Sequence, residues 1–373
     1  MGGNFLNRFI SITDRRFAAL ESRIGIYPAS ILIAFMLLLL ACLYGTPAVG
    51  LINHGGDYSL LSENPFDLSA NNRFQYRILS PLIAHFIFLR GKLFIFFPLL
   101  VCLLFIAGVI LYFRRTGSGF SESIAIASLL VFSTPVLQTL HFAGYVDTMS
   151  YFLLFLCFVF RSRLYFSACL FALALLNHEA NLFALPWLII LSGMRKKESY
   201  AAYLKSGFAY FLALLPLILF RQYFSADAAT HLTAGFYLSK ENIAGSVWLQ
   251  YHSFWFGIFE GFKLFWFLPL AAGIIAIRKN DFKTILLISI IILSTISQLF
   301  FASDTSRLMG LAFPAIIIAA VEIRNYWGRD IFLRRIWILI LLNLLVPQYF
   351  VGEGVQIPFL PLPLALFLKY YMD

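Results

Sequence analysis

Tyr76-Arg77-Ile78-Leu79-Ser80-Pro81-Leu82-Ile83-Ala84-His85-Phe86-Ile87-Phe88-Leu89 decides how this chain is threaded. The segment is apolar enough for lipid, yet shorter than the roughly 17–25 residues that a spanning helix needs. If it crosses, every later loop changes sides; if it lies along the interface or re-enters, none does. Lysine and arginine settle the choice, because cytoplasmic loops hold an excess of both. With a cytoplasmic N-terminus and no crossing here, the cytoplasmic side receives 20 of the 28 basic residues, from Arg8, Arg15, Arg16 and Arg23 through Arg114, Arg161 and Arg324 to Lys369. A crossing would reverse that bias. The segment is therefore read as an interfacial or re-entrant helix after the first span.

Composition supports a membrane setting for everything around it. Hydrophobic residues make up 61% of the 373, charged residues only 12%, about half the charge of a soluble domain. Near-spanning apolar runs begin at Ile26–Ala48. They continue at Leu93–Phe113, Ser121–Leu140, Met149–Phe160, Leu164–Leu176, Leu182–Ser192, Tyr203–Phe220, Phe262–Ile277, Thr284–Phe301, Leu308–Val321, Leu333–Phe350 and Ile357–Tyr371. This predicts an all-α, polytopic integral membrane protein of about 11–12 transmembrane helices. Residues 1–25 form a cytoplasmic segment and 26–373 a single transmembrane domain, with outer loops at 50–92 and 221–260. The three runs between Met149 and Ser192 are short, and short helices at membrane depth usually line a cavity. The net charge of +10 is dispersed between apolar runs, which fits positive-inside sorting and excludes a nucleic-acid stripe. The residues ahead of Ile26 are too mixed for a cleavable signal peptide. Cys42, Cys102, Cys157 and Cys169 lack metal-ligand spacing, and no phosphate loop or nucleophile elbow occurs.

The threading has a consequence for chemistry. Five polar clusters, distant in sequence, meet the same outer border: His54-Gly55-Gly56-Asp57-Tyr58, Arg73-Phe74-Gln75-Tyr76-Arg77, His141 to Asp147, Asn177-His178-Glu179, and Asp304-Thr305-Ser306-Arg307. Ionisable groups at such borders face a polar cavity or pair with one another. Asp57, after two glycines that permit a tight turn, can act as a general base on a hydroxyl. Asp147 is the second candidate for that role. Arg73 and Arg77 either bind phosphate oxygens through their guanidinium forks or anchor the segment by snorkelling. His141, His178 and Glu179 are candidate binding residues, and Glu179 has the alternative of a structural ion pair with Arg77 or Arg307. Asp304 and Arg307 lie at i, i+3, so they face one way on a helix that Asp304 could cap. The histidines and carboxylates could take a divalent metal, but their spacing does not indicate one.

These residues resemble a family. An aspartate soon after the first span, then Tyr76-Arg77-Ile78-Leu79-Ser80-Pro81, is similar to the GT-C-type polytopic membrane glycosyltransferases and their uncharacterised relatives. Gly144-Tyr145-Val146-Asp147, Asn177-His178-Glu179-Ala180 with Pro186, and Asp304-Thr305-Ser306-Arg307 ahead of Phe313-Pro314 look similar too. Relatives frequently carry Arg-Glu where this chain has His178-Glu179. No Asp-x-Asp or Glu-x-Asp signature occurs in the first loop, which points away from a metal-dependent variant. The resemblance implies a GT-C-like fold in a bacterial inner membrane and a polyprenyl-phosphate-linked sugar as donor. It implies transfer on the extracytoplasmic side to a glycan, lipid or protein acceptor, with no cofactor. On that reading Asp57 is the base, Arg77 with Arg73 or Arg307 holds the leaving phosphate, and His178 and Glu179 position the sugar or tune the arginines. The alternative is a transporter or flippase of a lipid-linked or small anionic substrate, which would place charge near the bilayer midplane.

Overall fold

A computed structural model describes residues 2–45, 47–48, 50–66, 72, 74–194, 200–225, 239–364, 366 and 370. The chain is mostly helical. Helix α1 (Gly2–Ile24) leads at a Gly25 hinge into α2 (Ile26–Tyr44), followed by α3 (His54–Glu63) and α4 (Leu79–Phe86). Then come α5 (Phe96–Arg115), α6 (Phe120–Val131), α7 (Thr134–His141), α8 (Asp147–Val159), α9 (Leu164–Asn177) and α10 (Leu185–Gly193). Beyond them lie α11 (Tyr200–Leu212), α12 (Leu215–Ser225), α13 (Lys240–Gln250), α14 (Phe254–Phe262), α15 (Phe267–Arg278) and α16 (Phe282–Ser297). The last elements are α17 (Thr305–Met309), α18 (Phe313–Trp327), α19 (Arg329–Leu345) and a hairpin of β1 (Gln348–Gly352) and β2 (Val355–Phe359). One buried apolar cluster runs from Ile10 to Ile340.

Among the described residues, six helical stretches are long and apolar enough to cross a membrane. They are Ile26–Tyr44, Gly91–Arg115, Tyr200–Gln222, Phe254–Arg278, Phe282–Phe300 and Thr305–Trp327. Helices α6 and α7 add a seventh if their 53° bend is one broken span. This is fewer than the 11–12 read from the sequence, for two reasons. The runs between Met149 and Ser192 remain short helices, Asp147–Val159, Leu164–Asn177 and Glu179–Gly193. The chain after Leu345 also turns into strands. Gly352 pairs with Val355 across a two-residue turn in which Glu353 (φ 51) and Gly354 (φ 78) are both left-handed. That is the turn type whose twist suits a tight hairpin. The expected helix over Ile357–Tyr371 therefore begins as a strand, and most of its second half lies outside the described residues. So do 226–238 of the expected outer loop.

Helix α4 is eight residues, about 12 Å long at 1.5 Å per residue, so it cannot span. The chain bends away at Phe88 (φ 63). Around it the charges sort to two ends. At one end Glu122, buried in the first turn of α6, meets Arg324 at 2.8 Å and Arg329 at 3.9 Å, Lys279 meets Glu322 at 2.6 Å, and Arg114 meets Glu21 at 2.7 Å. Asp147 and Arg161 bracket α8, a 13-residue helix about 20 Å long, so Asp147 belongs to the opposite end. Cysteines introduced at Glu353 and at Asp330 should therefore react with an impermeant maleimide from opposite sides of a sealed vesicle. Labelling of both from one side would break this assignment.

Candidate functional site

The interrupted helix over Leu164–Gly193 positions the first part of the site. Helix α9 stops at Asn177, His178 is extended (φ −160, ψ 125), and a 3-10 turn over Glu179–Ala184 runs into α10 behind Pro186. Two asparagines hold this break by binding the backbone that the helix leaves open. Asn177 Nδ2 donates to Val146 O and Ser150 Oγ, both at 2.9 Å. Asn181 Nδ2 donates to Ala174 O (2.7 Å), His178 O (2.9 Å) and Ser150 Oγ (2.8 Å). Ser80 Oγ of α4 donates to Asn177 Oδ1 at 2.5 Å, which docks the short helix against the break.

That docking delivers Arg77 to Glu179. Arg77 Nε and Nη2 donate to the two carboxylate oxygens at 3.0 and 2.6 Å, and Nη1 donates to the Tyr58 hydroxyl at 2.8 Å. The fork is thus bidentate on a carboxylate, the strong geometry for this pair. Of the roles open to these residues in the sequence, the ion pair is the one the structure forms. Arg221, over the Tyr76 ring, approaches Glu179 at 3.9 Å.

A second group stands beside the first. Arg307 Nη1 donates to Asp147 Oδ2 at 3.0 Å, and its Nη2 bonds Asp304 Oδ2. The guanidinium lies over the Tyr145 ring. Asp304 makes no side-chain capping bond; its carboxylate is committed to Arg307. His178 joins the groups, with Nε2 at 4.0 Å from Asp147 and Nδ1 at 3.9 Å from Glu179. The result is one ladder: Arg77, Glu179, His178, Asp147, Arg307, Asp304. His178 Nδ1 accepts the Ala180 N–H at 3.1 Å, which assigns the ring proton to Nε2. Burial pushes the imidazole pKa down to about 4, and nearby Arg77 acts in the same direction against the pull of Glu179 and Asp147. His178 is therefore neutral at pH 7.

Asp57 reaches this place through glycine. A Cβ on Gly55 would stand 2.3 Å from Ala143 O, and Gly144 (φ 92) would put one 2.8 Å from Gly55 Cα. The first turn of α3 therefore lies backbone to backbone on the 142–146 loop, which only glycines allow. Gly55 and Gly56 lie within α3; close approach, not a tight turn, is what Gly55 supplies. Asp57 then sits 3.5 Å from His54 Nδ1, and the His54 ring packs on Phe74 and Tyr145.

A cavity of about 590 Å³ opens here, lined by Asn53, His54, Asp57, Phe142, Tyr145, Asp304, Arg307, Phe350, Glu353, Val355 and Ile357. Asp147 and His178 lie deeper, around a pocket of about 10 Å³ that Arg307 also lines. The structure thus brings together Asp57, Asp147, Arg77, His178, Glu179, Asp304 and Arg307. Arg77 and Glu179 do not line the larger cavity. His141 stacks on Phe359 at 3.9 Å and supports the hairpin; Arg73 lies outside the described residues. Among the described residues no group of three or more His, Cys, Asp and Glu side chains is placed to hold a metal.

The reading of the sequence missed Tyr58, Tyr145 and the whole hairpin wall. Tyr58 adjoins Asp57, and its burial could not be read from spacing. The hairpin had a signal in Phe350-Val351-Gly352-Glu353-Gly354-Val355-Gln356-Ile357, an alternating stretch around a Gly-rich turn. Together fold and site define a helical, multi-pass membrane protein with a charged cavity at one end. Comparison with protein families, with curated proteins and with solved structures returned no match.

Two outcomes follow from the ladder. Arg77→Met takes away the bidentate partner of Glu179, leaving it only Arg221 at 3.9 Å, and should cost up to about 3–5 kcal/mol, whereas Arg77→Met with Glu179→Leu should recover much of that loss in thermal unfolding of the detergent-solubilised protein. Because the His178 pKa is depressed on folding from 6.5 to about 4, its contribution is present above pH 6.5 and is lost as pH falls from 6.5 to 4, to a total of about 3 kcal/mol. His178→Gln should flatten the melting temperature over that window.

Proposed function

We propose that this chain is a GT-C-type membrane glycosyltransferase that moves a sugar from a polyprenyl-phosphate donor to an acceptor hydroxyl on the extracytoplasmic side. The observation that carries the reading is that Asp57 and Arg307 line one cavity, a carboxylate able to take a proton beside a guanidinium able to face a phosphate. Phe142, Tyr145 and Phe350 supply flat apolar walls of the kind a sugar ring packs on.

In this reaction Asp57 takes the acceptor hydroxyl proton as the oxygen attacks the anomeric carbon of the donor sugar. The bond from that carbon to the phosphate oxygen breaks, and its electron pair leaves with the polyprenyl phosphate. Attack opposite the leaving group inverts the configuration. Charge grows on the phosphate as the bond breaks, and a guanidinium at the cavity wall can stabilise it. Arg307 has that position. Its bond to Asp304 must open to admit the phosphate, while Asp147 and His178 keep the guanidinium aimed. Arg77 and Glu179 act at one remove, by fixing the break after α9.

One observation favours transport instead. A second cavity of about 420 Å³, lined by Arg161, Glu122, Glu322, Arg324 and Asn325 among others, occupies the far end of the same helices. Between the two cavities Phe105, Tyr151, Phe155 and Phe313 pack ring on ring and are all buried. A carrier must open that layer; a transferase need not, which is why the enzyme reading ranks first.

In proteoliposomes holding a polyprenyl-phosphate sugar and a hydroxyl acceptor, Asp57→Asn should lower the transfer rate by about 10²–10⁴-fold. Arg307→Lys should lower kcat by about 10²–10³-fold with a smaller change in KM. Sugar movement across the bilayer without a new glycosidic bond would replace the transferase by the carrier.

A further inference from the structure

Helix α1 carries a second surface with a chemistry of its own. At 3.6 residues per turn, its arginines Arg8, Arg15, Arg16 and Arg23 fall within one sector of about 100°, and Ile10, Asp14, Phe17 and Glu21 fall in a narrower sector on the opposite side. The structure uses the two sectors differently. Asp14 Oδ1 accepts the Ser121 N–H at 2.8 Å and its Oδ2 pairs with Arg329. Glu21 pairs with Arg114 at 2.7 Å. Phe17 packs on Phe120, and Ile10 is buried. Asp14 and Glu21 are the only acids of α1, so both point into the bundle. All four arginines are exposed; Arg15 makes one further bond, to Ser11 on the same helix.

From Arg8 to Arg23 the outward face of α1 is therefore cationic, with no acid on it. Exposed Ile12, which lies among the arginines, adds apolar contact. A docked helix of this kind at the end of a membrane bundle lies where lipid headgroups are. The end in question is the one opposite the 590 Å³ cavity, since α1 is held there by Arg114 and Arg329. We propose that the arginine face of α1 is a docking surface for anionic phospholipid headgroups of the adjacent leaflet, so that this helix reads the charge of the membrane in which the bundle sits. A basic side chain near an anionic surface contributes about fivefold in affinity, so four together give strong selection for anionic over zwitterionic lipid.

The full-length protein in neutral detergent can be titrated with phosphatidylglycerol and, separately, phosphatidylcholine, with retained lipids counted by native mass spectrometry at low and at 1 M salt. The wild type should bind phosphatidylglycerol at least tenfold more tightly, and salt should abolish the preference. Arg8→Gln, Arg15→Gln, Arg16→Gln and Arg23→Gln together should lose at least tenfold in apparent affinity, while the four corresponding lysine substitutions should retain it. Arg278→Gln, Lys283→Gln, Arg334→Gln and Arg335→Gln, the same charge removed elsewhere, should have little effect. Unchanged preference in the α1 glutamine variant, or an equal loss in the second set, would overturn the proposal.

Discussion

Two ion-paired groups, Arg77 with Glu179 and Arg307 with Asp147 and Asp304, separated by the neutral ring of His178, are the constraint on which the rest of this end of the molecule depends. Charges within a membrane bundle persist only when paired, and here the partners come from four separate parts of the sequence. Arg77 precedes α4, Glu179 follows α9, Asp147 opens α8, and Asp304 and Arg307 sit at the start of α17. No element can shift without exposing a charge that another must answer. The short helices near this border are therefore held by electrostatics, not by length.

The same constraint shapes the cavity. Arg307 cannot turn away while Asp147 holds it, and Asp147 is fixed because α8 begins there. Below the ladder the helices return to ordinary apolar packing, where Phe105, Phe155 and Phe313 close the interior. A polar cap over an aromatic seal makes a cavity that is wet at one end and dry beneath it. Passage through the centre would require that aromatic layer to open.

Much of this was legible in the sequence because two strong physical signals wrote it there. Hydropathy marked α2, α5, α11 and α16, and the bias in Lys and Arg showed that Tyr76–Leu89 does not cross. Once that segment was laid flat, the clusters at Asp57, Arg77, Asp147, Glu179 and Arg307 fell on one border, where the structure gathers them. Pairing was less legible. That Arg77 pairs with Glu179 could not be read from spacing, because the two are a hundred residues apart and only the fold brings them together. Apolar runs also mislead near the end of the chain: Val351, Val355 and Ile357 suit a strand as well as a helix, and a two-residue turn outweighed their hydropathy. Tyr58 and Tyr145 were invisible because a tyrosine carries no mark of its partner.

The hairpin has a consequence for the timing of assembly. Asn53 on one wall of the cavity and Glu353 on the other leave the ribosome three hundred residues apart, roughly 15–60 s at usual elongation speeds of about 5–20 residues per second. Through that interval Asp57 and His54 have no opposite wall. The helical bundle can insert and pack while its charged end stays open, and the enclosure forms only after the two strands fold back onto the earlier helices. The cavity is thus enclosed only once the strands at Gln348–Gly352 and Val355–Phe359 have been made.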